Sequence, residues 1–248
     1  MAVSARASLR NAWRWVLDDQ RAVRLVAVLV LGVDVALAAV HVVVMTLFDA
    51  PDVWRVDMDG SYAEAFQYLK YVWIIALLLI CVRQTRNWWL AAWLPLFAFF
   101  LADDALQLHE IVGFWYYRQP WSFGLGPLGP QGFAELVVFA GIGILVAIPL
   151  FVAYRKADAD TKWVFRVLAA LVVVLMVFAL LIDAAHSLVT DIRVLDRGVG
   201  LIEDFGEMLV LSAMVVFAFR LNVSGGSPEF VPARREVSGS ARQSVHGV

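Results

Sequence analysis

One cysteine, Cys81, stands in 248 residues. An intramolecular disulfide and a thiolate-rich metal centre are thereby excluded. Charge is scarce as well: 17% of residues are Asp, Glu, Lys or Arg, against about 25% in a soluble domain. Neither sign dominates, with 20 basic and 22 acidic side chains and a formal net charge of -2. No overall field therefore recommends nucleic acid as a partner. What fills the chain is apolar, at 62% of residues with a mean hydropathy of +0.76. Soluble domains sit near 45–50%, so an ordinary water-soluble enzyme is excluded.

The apolar residues fall in six blocks, about 24–48, 62–82, 88–112, 132–154, 163–187 and 199–220. A bilayer core about 30 Å thick needs roughly 20 residues of helix. The blocks are too long for barrel strands, and only helices otherwise satisfy the backbone in hydrocarbon. The expected fold is an all-α polytopic bundle of six transmembrane helices. Its domain spans 24–220, with a 1–23 segment before it and a 221–248 tail after it. The first block follows basic residues as in a signal peptide, but it exceeds an h-region and no small-residue cleavage site ends it. It reads as a retained span.

Lysine and arginine set the orientation. Arg6, Arg10, Arg14, Arg21 and Arg24 precede the first span, and Arg83, Arg86, Arg155, Lys156 and Lys162 fall in alternate loops. Arg220, Arg234, Arg235 and Arg242 follow the last span. The opposite loops hold Arg55, Arg118, Arg193 and Arg197 among aspartates. Both termini are thus expected in the cytoplasm. Trp88, Trp89 and Trp163 then mark the inner interface, and Trp115 and Trp121 the outer one. Residues 8–23 read either as an amphipathic helix on the membrane surface or as an extension of the first span. The run Gly124–Pro130 predicts an irregular turn or cap, and the Ser-, Gly-, Pro- and Arg-rich tail predicts disorder. The sequon Asn222-Val-Ser224 falls on the cytoplasmic side and is set aside.

Ionisable groups inside spans need partners or a purpose. Asp103, Asp104, Gln107, His109 and Glu110 fall near the outer end of span three, Asp183 and His186 close span five, and Glu203, Asp204 and Glu207 open span six. His41, Glu64 and Glu135 join the same layer. Asp103, Gln107 and Glu110 share a helix face at i, i+4, i+7. Asp183-x-x-His186 has the carboxylate–histidine spacing by which one helix offers two metal ligands, and Glu203 and Glu207 are i, i+4 neighbours. The expected site is a divalent-metal centre of Asp103, His109, Glu110, Asp183, His186 and Glu207, with Glu203 as general base. Oxygen and imidazole ligands suit zinc, iron or manganese. The plainer account is that first-turn carboxylates such as Glu64, Glu135, Glu203 and Asp204 answer the helix dipole, and that His41 is a satisfied core histidine. Asp34 and Lys70 lie near the midplane of consecutive helices, as a structural ion pair or a relay. Lys70 has a third option in snorkelling toward the outer cluster. An outer histidine followed by a first-turn glutamate recurs three times, with the glutamates at 71- and 68-residue spacings, a period that any array of two-span units has.

Leu101–Glu110 and Leu201–Leu209 resemble segments of a group of bacterial multi-pass membrane proteins with an acidic pair before His-Glu in one span and a Glu-Asp/Glu motif opening the last. That resemblance covers roughly 25–220 and implies a six-helix inner-membrane protein without an activity to carry over. Zinc-dependent ceramidase-like membrane hydrolases offer a looser analogy, since their His-x-x-x-His element is absent here. Three functions compete. A metal-dependent membrane enzyme, hydrolytic or oxygen-using, would act on an amphiphilic small molecule drawn from membrane lipid. A proton- or cation-coupled transporter would use the acidic layer with Asp34 and Lys70, although no inverted repeat or broken helix is read from the sequence. A haem carrier would take two of His41, His109 and His186 as axial ligands. A non-enzymatic membrane subunit is the residual case, and no oligomeric state follows.

Overall fold

A computed structural model describes residues 20–47, 51–125, 129–182 and 193–226. The described chain is helical throughout, without strands. The helices are α1 (Arg21–Leu47), α2 (Tyr62–Thr85), α3 (Leu94–Leu106), α4 (Leu108–Tyr117), α5 (Pro130–Lys156), α6 (Ala159–Met176) and α7 (Arg193–Val223). A 3-10 segment, Trp88–Trp93, leads into α3, and a π-helical segment, Val177–Ile182, extends α6. Residues 1–19, most of the expected N-terminal segment, lie outside the described residues, as does the tail from 227.

Five helices are long and apolar enough to cross a membrane: Arg21–Leu47, Tyr62–Thr85, Trp88–Leu106, Pro130–Lys156 and Ala159–Ala179. Their hydropathy is not explained by a protein core. Only 11% of the most apolar stretch of α5 is buried. Leu25, Val28 and Leu29 on α1, and Ile144, Leu145 and Ile148 on α5, each remain more than half exposed. Apolar surface so continuous is stable only against lipid. This is a membrane protein.

The sixth apolar block forms α7, which is the axis of the bundle. Met208, Leu211, Met214, Val215, Phe217, Ala218 and Leu221 are buried along it, where it packs on α1, α2 and α6. α1 leans on α7 more than on its sequence neighbour α2. An apolar groove of about 370 Å³ runs between these three helices, lined by residues including Val30, Trp73 and Phe219. Gly206 lets α7 approach the π-helical segment: a Cβ there would lie 2.2 Å from Phe178 Cε1. Trp163 is buried, 5.9 Å from the Phe217 ring. Its position on the first turns of α6 faces α7, which hydropathy alone does not reveal.

The third apolar block is not one helix. Gln107 adopts φ 50° and ψ 43°, the left-handed region, and divides α3 from α4. Such a conformation costs a residue with a Cβ about 1–2 kcal/mol, so something must hold it. Asp103 does. Its Oδ1 accepts the His109 backbone N–H at 3.0 Å, capping α4 across the break. A negative group at that helix start is favoured by the dipole as well as by the hydrogen bond.

A candidate cation site at the α1–α2 loop end of the bundle

The loop between α1 and α2 is pinned from below. His41, 3% exposed, accepts the Val56 N–H on Nδ1 at 3.0 Å. His41 thereby serves as a loop anchor. Arg55 donates to both oxygens of Asp57 at 3.0 and 2.7 Å. The bond to Asp57 holds the Arg55 guanidinium above its ordinary range. For Asp57, burial pushes upward, but the hydrogen bonds and charge of Arg55 outweigh it and leave the carboxyl below the usual aspartate value. The Arg55–Asp57 pair thus stays ionised.

Ser61 caps α2, accepting the Glu64 N–H at 3.2 Å, while the Glu64 carboxylate reaches back to the Gly60 N–H. This is a Ser-x-x-Glu capping arrangement. The Tyr68 hydroxyl ties it to α3, lying between Glu64 and the Asp104 carbonyl, 3.1 Å from the latter. At the far side of the molecule Asp158 caps α6 by accepting the Thr161 N–H at 2.8 Å, and that bond holds its carboxyl low.

Between the pinned loop and the helix ends lies a cleft of about 180 Å³. Asp57 and Asp59 from the loop, Glu64 and Gln67 from α2, Asp104 from α3, Gln107, His109 and Glu110 at the break, and Asp204 and Glu207 from α7 line it. Among the described residues no lysine or arginine lines it. A concave surface rich in carboxylates favours cations over anions.

The break gives His109 its orientation. Asp103 is 1% exposed and meets His109 Nδ1 through Oδ2 at 2.9 Å. A carboxylate only accepts, so Nδ1 bears the proton. The ring also rests on Phe139, with centroids 5.0 Å apart. Of the expected site residues, His109, Glu110 and Glu207 meet at the cleft. Asp103 stands behind His109, and its neighbour Asp104 faces the cleft. Glu203 is half-buried on α7 outside the lining. Asp183 and His186 lie outside the described residues. Among the described residues, no group of three His, Cys, Asp or Glu side chains is placed to hold a metal ion. Glu135 accepts from Gln131 at 2.9 Å and is outside the lining. Asp57, Asp59 and Gln67 were missed. The two aspartates read as charges of an exposed loop, and the one local signal was the Asp59-Gly-Ser61 turn opening α2.

Beneath the cleft, Lys70 Nζ lies 2.5 Å from Asp34 Oδ1, and both side chains are fully buried. Lys70 also donates to the Met208 carbonyl at 2.9 Å, and Ser212 donates to the other Asp34 oxygen. Gln67 precedes Lys70 by one turn and Glu207 precedes Met208, so this network starts one turn below the cleft floor.

A family match spans all of these elements, over residues 22–221. The chain belongs to the family described as Domain of unknown function (DUF8692). Its limits fall one residue inside α1 and two before the end of α7. Cleft, helix break and buried network therefore all lie within the DUF8692 region, and the flanks do not. No curated protein and no solved structure matches the chain.

Proposed function

We propose that the chain is a six-span protein of the bacterial cytoplasmic membrane, both termini inside, that works as a proton- or cation-coupled transporter with the acidic cleft as its outer vestibule. The observation that carries this reading is the Asp34–Lys70 pair, fully buried and one turn beneath the cleft. An ion pair in hydrocarbon gains little stability over apolar packing, so its presence between two helices, bonded to a third through Met208 and Ser212, argues for use. The divided α3–α4 helix adds support, since interrupted helices with freed backbone groups are how transporters build ion sites. The distribution of lysine and arginine supports the orientation, and α7 supplies the sixth span. The test is flux of sodium, potassium and protons in proteoliposomes. Asp34→Asn is expected to lower cation-coupled flux about ten-fold or more. Equal flux in wild type and Asp34→Asn would sink the transporter reading.

The His109 geometry favours a second reading. Histidines that bind metals are commonly oriented by a carboxylate on the other ring nitrogen, as Asp103 does here. A zinc, iron or manganese ion on His109 with Glu110 and Glu207, joined by Asp183 and His186, would serve an enzyme acting on a membrane-borne amphiphile, with Glu203 as base. Metal analysis of purified protein decides it: the reading requires one bound metal that His109→Ala loses.

A further inference from the structure

Gln67 stands apart from the carboxylates around it. It is only 8% exposed, yet it lines the cleft. Its side-chain amide has no hydrogen-bond partner among the described residues. Buried polar groups are nearly always paired, so an amide left open toward a cavity marks where a guest completes the bonding. Glu64, one turn nearer the loop, shares its helix face at i, i+3. The Glu64 oxygens accept from the Gly60 N–H and the Tyr68 hydroxyl, which fix the carboxylate through uncharged donors.

The acceptors are stacked along the cleft and not gathered about one point. Glu64 and Gln67 lie about 4.5 Å apart along the α2 axis, and Asp204 and Glu207 repeat that spacing on α7. Asp59 and Glu110 continue the acidic wall at the loop end, where Gln107 donates to Asp59 at 3.1 Å. A bound divalent ion would need its oxygens within about 2.0–2.6 Å of a single centre. Among the described residues no three His, Cys, Asp or Glu side chains are so placed. The arrangement suits positive charges held apart on one molecule. We infer that the cleft receives an aliphatic di- or polyamine, one ammonium donating to the Gln67 carbonyl at the floor and a second answering Asp59 and Glu110 at the loop end. The inference rests on the transporter reading and supplies its substrate class.

Charge and bonding agree with that guest. Primary amines are protonated at neutral pH, as lysine is, and each ammonium brings three donors and no acceptor. Arg55 pairs with Asp57 at 2.7 Å, but no lysine or arginine stands in the lining to answer the other carboxylates. A single positive charge would meet one level of the stack, whereas two or three on a chain meet several. Gln67 accepts without adding charge, so it fixes the position of the inner ammonium. The methylenes between the amines have Val56 and Met58 to rest on.

The test is calorimetric binding to full-length purified protein in detergent, with putrescine and spermidine as probes. Both are expected to bind saturably, and butylamine, with one ammonium, at least about ten-fold more weakly. Gln67→Leu should weaken putrescine about ten-fold or more. Gln67→Glu keeps an acceptor at the floor and should bind at least as tightly as wild type. Glu135→Gln, outside the lining, should stay within about two-fold of wild type, because exposed charges at a distance are screened. No saturable binding to wild type, equal affinity for butylamine, or displacement of putrescine by equimolar magnesium chloride overturns the inference. Those wild-type measurements decide even if a variant fails to fold. Equal putrescine affinity in wild type and Gln67→Leu overturns it as well. Cation-coupled flux in proteoliposomes without putrescine binding would remove this substrate and leave the transporter reading intact. Putrescine binding without its uptake into proteoliposomes would leave the site and remove transport.

Discussion

Asp103 illustrates how one side chain can carry both a backbone and a site. Its two oxygens separately hold the His109 N–H and the His109 ring at 3.0 and 2.9 Å. Charge-assisted bonds of this kind contribute about 1.5–3 kcal/mol, roughly twice a neutral pair. Asp103→Asn keeps the shape but offers one acceptor oxygen for two donors, so a loss of about 1–2 kcal/mol in unfolding stability is expected. Asp103→Leu orphans both donors and should lose about 3 kcal/mol or more. A double-mutant cycle with His109→Ala isolates the pair, with an expected coupling of about 1–3 kcal/mol. Coupling near zero would show that Asp103 does not orient His109. In the sequence this aspartate reads as a metal ligand, because type and spacing cannot reveal that each of its oxygens already accepts a hydrogen bond from His109.

At the scale of elements, hydropathy locates the helices well, since a bilayer imposes length and composition together. The ends of α1, α2 and α5 fall within a few residues of the apolar blocks. The break at Gln107 was not legible. No proline or glycine marks it, and its cap comes from a residue four positions back. Equally hidden was the choice of α1 to pack on α7 across the whole chain, because that contact is set by shape and not by neighbours in sequence. Glycines make the shape testable. Gly206→Ala places a Cβ 2.2 Å from Phe178 Cε1, and overpacking of this kind destabilises by about 1–3 kcal/mol. Gly141→Ala on α5 meets nothing within 4 Å, so it should be neutral or stabilise by up to about 1 kcal/mol. Thermal unfolding in detergent compares the two. Equal midpoints would mean that α7 and the π-helical segment do not approach as closely as described.

For the whole molecule, the placement of the cleft on the outer side depends on topology, and topology depends on the number of spans. Five spans would send the C-terminal tail to the face opposite the N-terminus, whereas six return it to the same face. The single native cysteine makes this tractable, because Cys81 is fully buried and a Cys81→Ala background starts without a reactive thiol. Gly124 and Gln84 are exposed at opposite ends of the bundle, and Ser240 lies in the tail. With a membrane-impermeant maleimide on intact cells, Gly124→Cys is expected to label at once, and Gln84→Cys and Ser240→Cys only after the membrane is opened. Labelling of Ser240→Cys in intact cells would remove the sixth span. Labelling of Gln84→Cys with protection of Gly124→Cys would invert the molecule, turning the acidic cleft toward the cytoplasm. In that case the same residues would face cations from inside. The address of the cleft therefore follows from which of these three positions reacts.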